Sequence, residues 1–294
     1  ATRRLASLLD PVDTFDLSPE DGAYVSRQTR LSPRAVGFFL ERGRRLRRWL
    51  RERPAHTVLW TGISASRLGH ARDVLTVSRH LAPGQRAFGI VHQGDFAGLG
   101  TSALTRGSAR RLVDRLAGVV FLSETLALRS EWVPPEKRLV APNTIDAEMI
   151  ASRDELKRKW ADPPHGRPLR LLFFSNMIPS KGFLDVVRAV GVLRERGVEV
   201  RADFVGRWAS EDGRRAFEQE VLEAGVTDHV THHGSVSERD AARAHYLTAD
   251  VFCLPTTYPT EAQPLTVIEA LASGTPAVVT AHASLPEMIE AGRS

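Results

Sequence analysis

The chain has 294 residues, 42% apolar and 26% charged, an ordinary globular mixture that excludes collagenous and disordered classes and suits two domains of roughly 100–200 residues each. Its formal charge is +5, and its single cysteine, Cys253, sits in the apolar run Val251-Phe252-Cys253-Leu254. A disulfide framework is thereby excluded, and a buried strand position in a reducing cytoplasm is expected. No apolar stretch approaches the ~18–20 residues that cross a bilayer, and Ala1-Thr2-Arg3-Arg4 leads into no signal-peptide core. The expected location is cytoplasmic, soluble or peripheral at the inner face of a membrane.

In chain order, a helix-like start at 3–9 precedes predicted strands at 12–17, 57–61, 87–92, 118–122 and 138–141. Helices are predicted between them at 33–52, 69–80, 108–116 and 124–132. Short β-branched or apolar runs alternating with helical stretches imply a parallel sheet covered by helices, here one doubly wound sheet. The helix at 33–52 places Val36, Phe39, Leu40, Leu46 and Leu50 at helical spacing, with most of its arginines between them. Two readings stand: a solvated face on a core-packed helix, or a face that meets an anionic membrane or a lipid-phosphate acceptor.

The second half repeats the pattern, with strands at 169–174, 200–205, 230–233, 250–254 and 277–280 and helices at 181–196, 214–224, 238–249 and 265–272. The polar segment 152–168 joins the halves, and its run Asp162-Pro163-Pro164-His165-Gly166-Arg167-Pro168 cannot continue a helix. The expected domains are 1–160 and 161–294. The first identifiable strand follows a helix, and the chain stops at Glu290-Ala291-Gly292-Arg293-Ser294 without the elements that would complete the second sheet. It is therefore expected to be incomplete at both ends.

The most informative stretch runs from Pro255 to Pro276. A strand ends at Leu254, a loop carries Glu261, Pro264 suits the first helical position, and Gly274 followed by Pro276 ends the helix. The amides of Leu265, Thr266 and Val267 are expected to leave that helix at the carboxyl end of a parallel strand, a ready anion site. Glu269, within the first two turns, can reach a ribose hydroxyl pair beside a bound phosphate. Two carboxylates beside an anion require positive charge nearby, and Lys181 in Pro179-Ser180-Lys181-Gly182 follows the strand at 169–174.

Glu261 and Glu269, seven residues apart and followed by Ala270-Leu271-Ala272-Ser273-Gly274-Thr275-Pro276, resemble the Glu-x7-Glu element of glycosyltransferase family 4. Ser180-Lys181-Gly182 resembles that family's strand-to-helix lysine. Further similarity lies in Phe204-Val205-Gly206, His233-Gly234-Ser235-Val236, Tyr246-Leu247-Thr248-Ala249-Asp250 and Leu285-Pro286-Glu287. The resemblance covers about 85–294 and implies a GT-B fold, in which two Rossmann-like domains face each other across a cleft. The first domain would bind the acceptor and the second the nucleotide sugar.

Residue by residue, the resemblance implies that Lys181 binds the donor diphosphate, that Glu269 binds the ribose, and that Glu261 holds sugar hydroxyls near the reacting carbon. Backbone groups of Ala262, Gln263, Pro264, Leu265 and Thr266 would meet phosphate and sugar, with Gly206, Arg207 and Val236 near the base. Asn176 stands where many relatives carry an arginine, so charge neutralisation would rest more on Lys181 and the helix terminus. His92, ending the strand at 87–92, is either a structural strand cap or, as the resemblance implies, a residue close to the transferred sugar. Asn143 in Pro142-Asn143-Thr144 reads either as an Asx turn or as the turn before the domain crossover.

The sequence holds no Asp-x-Asp and no His/Cys cluster with metal-ligand spacing, so no metal and no other cofactor is expected. The implied activity is retaining, metal-independent transfer from a UDP- or GDP-linked sugar to a glycan or lipid-linked acceptor, with no nucleic-acid partner. A nucleotide-sugar epimerase of the same fold and a catalytically silent nucleotide-sugar-binding subunit are the rivals. A nicotinamide dehydrogenase is disfavoured because no Gly-x-Gly-x-x-Gly follows a strand.

Overall fold

The computed structural model describes residues 12–17, 33–82 and 85–289. The helix-like start at 3–9 and the last residues, 290–294, lie outside them. The chain divides into two compact units between Ala141 and Pro142, earlier than the join expected near 160. Segment 142–160 packs with the second unit. Met149 enters that unit's core, Ala151 N–H donates to the Ala272 carbonyl at 3.0 Å, and a helix runs where a polar connector was expected.

In the first unit, helix α1 (Pro33–Arg51) precedes β1 (Val58–Ile63), α2 (Arg67–Thr76), β2 (Ala87–Val91), α3 (Ala97–Thr101), α4 (Arg106–Asp114), β3 (Gly118–Phe121), α5 (Glu124–Arg129) and β4 (Arg138–Val140). The four strands pair in parallel in the straight order β1-β2-β3-β4, and among the described residues this sheet shows no reversal of the doubly wound kind. Residues 12–17 form no strand. Side chains hold them to the end of α1 and beyond: Asp13 accepts from Arg53 at 2.6 Å, and Phe15 lies 5.7 Å from Trp49. On α1, Phe39, Leu46 and Leu50 are buried, while Arg44, Arg45, Arg47, Arg48 and Arg51 are exposed. That is the amphipathic division expected from the spacing.

The second unit contains α6 (Arg153–Ala161), β5 (Leu169–Phe174), α7 (Phe183–Glu195), β6 (Val200–Val205), α8 (Glu211–Glu223), β7 (Val230–Gly234), α9 (Arg239–Thr248), β8 (Val251–Leu254), α10 (Leu265–Ala272), β9 (Ala277–Val279) and α11 (Leu285–Met288). Its five parallel strands run β7-β6-β5-β8-β9. The run Leu171-Leu172-Phe173 is buried because a central parallel strand is covered on both faces. Phe173, Phe183, Phe204 and Phe217 pack edge-on or tilted with centroids 4.9–6.4 Å apart. Helix α6 is fixed by a capping box between Ser152 and Glu155. Cys253 is a free thiol in β8, half-buried, and burial pushes it up to about 12.

The order of the second sheet reverses at β5. β6 and β7 lie on one side of it and β8 and β9 on the other, so the carboxyl ends of β5 and β8 flank a crevice that helices cannot close. Open α/β sheets bind ligands at such a point.

Candidate active site

Two loops leave the sheet at that reversal. After β5 the chain passes Asn176 and a 3-10 turn, Pro179–Lys181, before α7 begins at Phe183. Lys181 therefore lies just ahead of the helix it was expected to start. Between them Gly182 adopts φ 83°, and a Cβ there would sit 2.3 Å from the Pro255 carbonyl oxygen. Glycine alone allows this approach. It sets Ser180 and Lys181 against the loop after β8, where Thr257 N–H donates to the Ser180 carbonyl at 2.7 Å.

Lys181 and Glu261, eighty positions apart, meet: Nζ donates to Oε2 at 2.5 Å. Both are buried, at 9% and 5% exposure, so neither charge relies on bulk water and each depends on the other. Thr256 Oγ1 donates to the same Oε2 at 3.0 Å, and the ammonium also lies 4.8 Å from the centre of the Tyr258 ring. Both donors meet the same carboxylate oxygen, Oε2.

The loop is braced from several sides. Glu261 N–H donates to the Tyr258 carbonyl at 3.0 Å, His282 Nε2 bonds the same carbonyl at 2.9 Å, and the hydroxyls of Thr280 and Ser284 donate to the carbonyls of Thr256 and Ala262. Asn143 donates from its backbone to the Gln263 side-chain oxygen and from its amide to the Gln263 carbonyl, the latter at 2.9 Å. It clasps the loop, which neither sequence reading had specified.

Helix α10 begins at Leu265, with Pro264 as its N-cap in extended conformation and not as its first residue. Val267 N–H bonds the Pro264 carbonyl at 3.2 Å. The helix start therefore offers the amides of Leu265 and Thr266 to a ligand, not all three amides that were expected. Glu269 is half-buried one turn on, and its Oε2 accepts from the Tyr246 hydroxyl at 2.7 Å. The sequence carried one sign of this tyrosine, its place in Tyr246-Leu247-Thr248-Ala249-Asp250, but no role was attached to it. Thr256 and Tyr258 lay inside the Pro255 to Pro276 stretch, also without a role, and Thr280, His282 and Ser284 carried no such sign.

Gly206, Arg207 and Val236 lie at the carboxyl ends of β6 and β7. Gly206 has φ 154°, and a Cβ would meet the Ser175 carbonyl oxygen at 1.8 Å, so the turn after β6 is pressed against the turn after β5. Arg207 and Asn176 are exposed, and Val236 packs against the core. The structure thus brings Lys181 and Glu261 together, sets Glu269 on the helix that their loop enters, and places the three expected base-site residues at the neighbouring strand ends. His92 belongs to the first unit, where it is exposed after β2 and its Nε2 lies 2.9 Å from the Thr61 carbonyl oxygen. Among the described residues there is no grouping of three His, Cys, Asp or Glu side chains suited to a metal ion, and no helix long and apolar enough to cross a membrane.

Residues 154–294 match the family model described as glycosyl transferases group 1. Among curated proteins, one from Salmonella typhimurium, provisionally named as the colanic acid biosynthesis glycosyltransferase WcaL, is 28% identical over 171 residues, 57% of this chain and 39% of its own. MMP alpha-(1->4)-mannosyltransferase of Mycolicibacterium hassiacum is 29% identical over 181 residues, 61% of this chain and 40% of that one. The chain thus spans about two fifths of the length of these relatives. The solved structure of Alr3699/HepE from Anabaena in complex with UDP superposes with a TM-score of 0.64 at 16% identity, covering 98% of this chain and 72% of that one. At that identity the likeness is one of fold.

Proposed function

We propose that the protein is a retaining glycosyltransferase, a reading supported by the match of residues 154–294 to the glycosyl transferases group 1 model and by the fold likeness to HepE. The protein moves a sugar from a UDP- or GDP-linked donor to a glycan or lipid-linked acceptor. One observation carries this reading: Lys181 and Glu261 meet at the sheet reversal, beside the loop that enters α10 with Glu269 on it. The donor diphosphate lies between the Lys181 ammonium and the Leu265 and Thr266 amides, Glu269 takes the ribose, and Glu261 takes sugar hydroxyls. Gly206, Arg207 and Val236 border the base, and loop atoms of Ala262, Gln263 and Pro264 line the sugar end. HepE has been solved in complex with UDP and with UDP-glucose, which supports a nucleotide-sugar donor.

Lys181 has three N–H donors and Glu261 uses one, so the ammonium can serve the diphosphate without leaving its partner. Leaving-group charge is then met by fixed donors, each of which typically contributes ~3–4 kcal/mol, and transfer proceeds without a metal. The acceptor approaches the donor face from which the diphosphate departs, with Glu261 positioning rather than attacking. In the first unit His92 is assigned a part in transfer, and the exposed arginines of α1 rest on an anionic membrane or meet the phosphate of a lipid acceptor.

Calorimetry with UDP- and GDP-sugars, followed by product analysis with and without acceptor, tests the proposal. One nucleotide sugar is expected to bind, with transfer that persists in EDTA and falls at least tenfold in Glu269→Ala. Donor turnover without acceptor indicates an epimerase, and binding without turnover a silent subunit.

A further inference from the structure

We propose that Tyr246 is a positioning residue for the donor ribose: its buried hydroxyl fixes Glu269 Oε2, so that Oε1 is held ready for the ribose hydroxyl pair. This rests on the donor-site reading above and adds a residue that the reading does not require.

Tyr246 is fully buried in the last turn of α9. Its ring stacks on Phe174 of β5, with centroids 5.2 Å apart and planes 9° from parallel, and lies 6.0 Å from Phe252 of β8. The ring is thus pinned against the two strands that flank the crevice. Its backbone is held as firmly, because the Tyr246 carbonyl accepts from Lys159 Nζ at 2.8 Å and from Thr275 Oγ1 at 2.7 Å. With ring and backbone fixed, the phenol oxygen has one place to be, 2.7 Å from Glu269 Oε2.

Burial, and then the neighbouring carboxylate, push the phenol far above its ordinary range, so the hydroxyl remains a donor at every working pH. A carboxylate on a half-exposed helical glutamate otherwise samples several rotamers, and binding a ribose must then fix them. A bond from a rigid buried donor meets that cost in the folded protein before any ligand arrives. A buried tyrosine needs some acceptor, and a merely structural bond predicts a change in stability alone. A positioning role predicts a change in affinity that depends on the ribose hydroxyls.

The test is calorimetry on the whole chain, wild type against Tyr246→Phe, with UDP, 2′,3′-dideoxy-UDP and inorganic pyrophosphate as probes, and the guanosine counterparts if the uridine ones do not bind. Tyr246→Phe is expected to weaken UDP about tenfold, the usual scale for one hydrogen bond to a charged group, while leaving dideoxy-UDP and pyrophosphate unchanged. Equal UDP affinity in both proteins, or equal losses for UDP and dideoxy-UDP, overturns the proposal. Binding of neither UDP nor GDP to the wild type instead overturns the donor-site reading on which it rests.

If the variant does not fold, the wild-type chain labelled with 3-fluorotyrosine replaces it, its three tyrosines giving signals assigned by replacing the other two. The Tyr246 fluorine signal is expected to move with UDP and to stay with pyrophosphate. A signal unmoved by saturating UDP overturns the proposal.

Discussion

The two sheets use the same parts in different orders. In the first unit the strands run straight from β1 to β4, while in the second the order turns back at β5. At the carboxyl ends of the first sheet His92 meets a backbone carbonyl, Gln93 accepts from the Ala65 amide at 2.7 Å, and buried Asp73 accepts from Ser64 N–H at 2.7 Å while pairing with Arg72. Those of the second carry a buried ion pair, and beside it stands a glutamate gripped by a buried phenol. A reversal opens a crevice that no crossover helix covers, and the Lys181–Glu261 pair stands at it, whereas the Asp73–Arg72 pair is tied to the β1 end by Ser64 N–H. The comparison teaches that buried charge occurs at the ends of both sheets, while topology marks the one where a ligand can enter.

The severest test of that difference is Lys181→Ala. Removing one member of a buried pair leaves the other charged without a partner, which typically costs ~3–5 kcal/mol. Lys181→Ala is expected to lower thermal stability and, under the proposed function, to reduce transfer about 100-fold or more, since a proposed donor to the leaving group is removed. Lys181→Ala combined with Glu261→Gln is expected to recover most of the stability and none of the activity. A melting temperature equal to wild type in the single variant would show that Glu261 does not depend on the ammonium.

The amino end of the same sheet supplies the next test. Lys159 Nζ donates to the carbonyls of Tyr246 and Ala249, at 2.8 and 2.7 Å, and to Thr275 Oγ1 at 2.5 Å, closing the end of α9. Lys159→Met leaves two carbonyls without this donor and is expected to cost about 2 kcal/mol, with donor turnover far less affected than in Lys181→Ala. Burial lowers the lysine from 10.5 to about 8, so between those values the unfolded chain binds more protons than the folded one. Wild-type stability therefore gains a contribution as pH rises from about 8 to 10.5 and loses it as pH falls back through 8. Denaturant melts across that window are expected to show the slope in wild type and its absence in Lys159→Met.

How far the sequence revealed this division depended on the kind of signal. β5 was legible because a central parallel strand is a continuous apolar run, and α10 because a proline and a glycine punctuate it. The 12–17 segment was misread: its alternating Val12, Thr14 and the aromatic Phe15 fit a strand, yet Asp13 and Phe15 are engaged by Arg53 and Trp49. Helix α6 hid inside a polar stretch, although Ser152 and Glu155 have the spacing of a capping box. Lys181, Glu261 and Glu269 were visible as residue types in a familiar order. Their geometry was not, because the pairing of Lys181 with Glu261 depends on Gly182 pressing against Pro255, a long-range fact that no local pattern encodes. Tyr246 was visible only as one letter of a familiar motif, and its burial and the direction of its hydroxyl emerge from the fold.

His92 carries the smallest expected effect on stability and the sharpest test of the first unit's part in the chemistry. It is exposed, and its Nε2 lies 2.9 Å from the Thr61 carbonyl in the loopward half of β1. A single bond between partly solvated groups contributes little, so His92→Ala is expected to change stability by less than about 0.5 kcal/mol. If the ring only caps the strand end, transfer follows stability and barely changes. If it takes part in the proposed transfer, kcat falls at least tenfold while nucleotide affinity, assigned under the proposed function to the second unit, stays at its wild-type value. His92→Gln separates the two further, because an amide can replace a hydrogen bond to Thr61 but cannot titrate. Full activity in His92→Gln assigns the residue a hydrogen-bonding role, and loss in both variants assigns it the imidazole's proton chemistry.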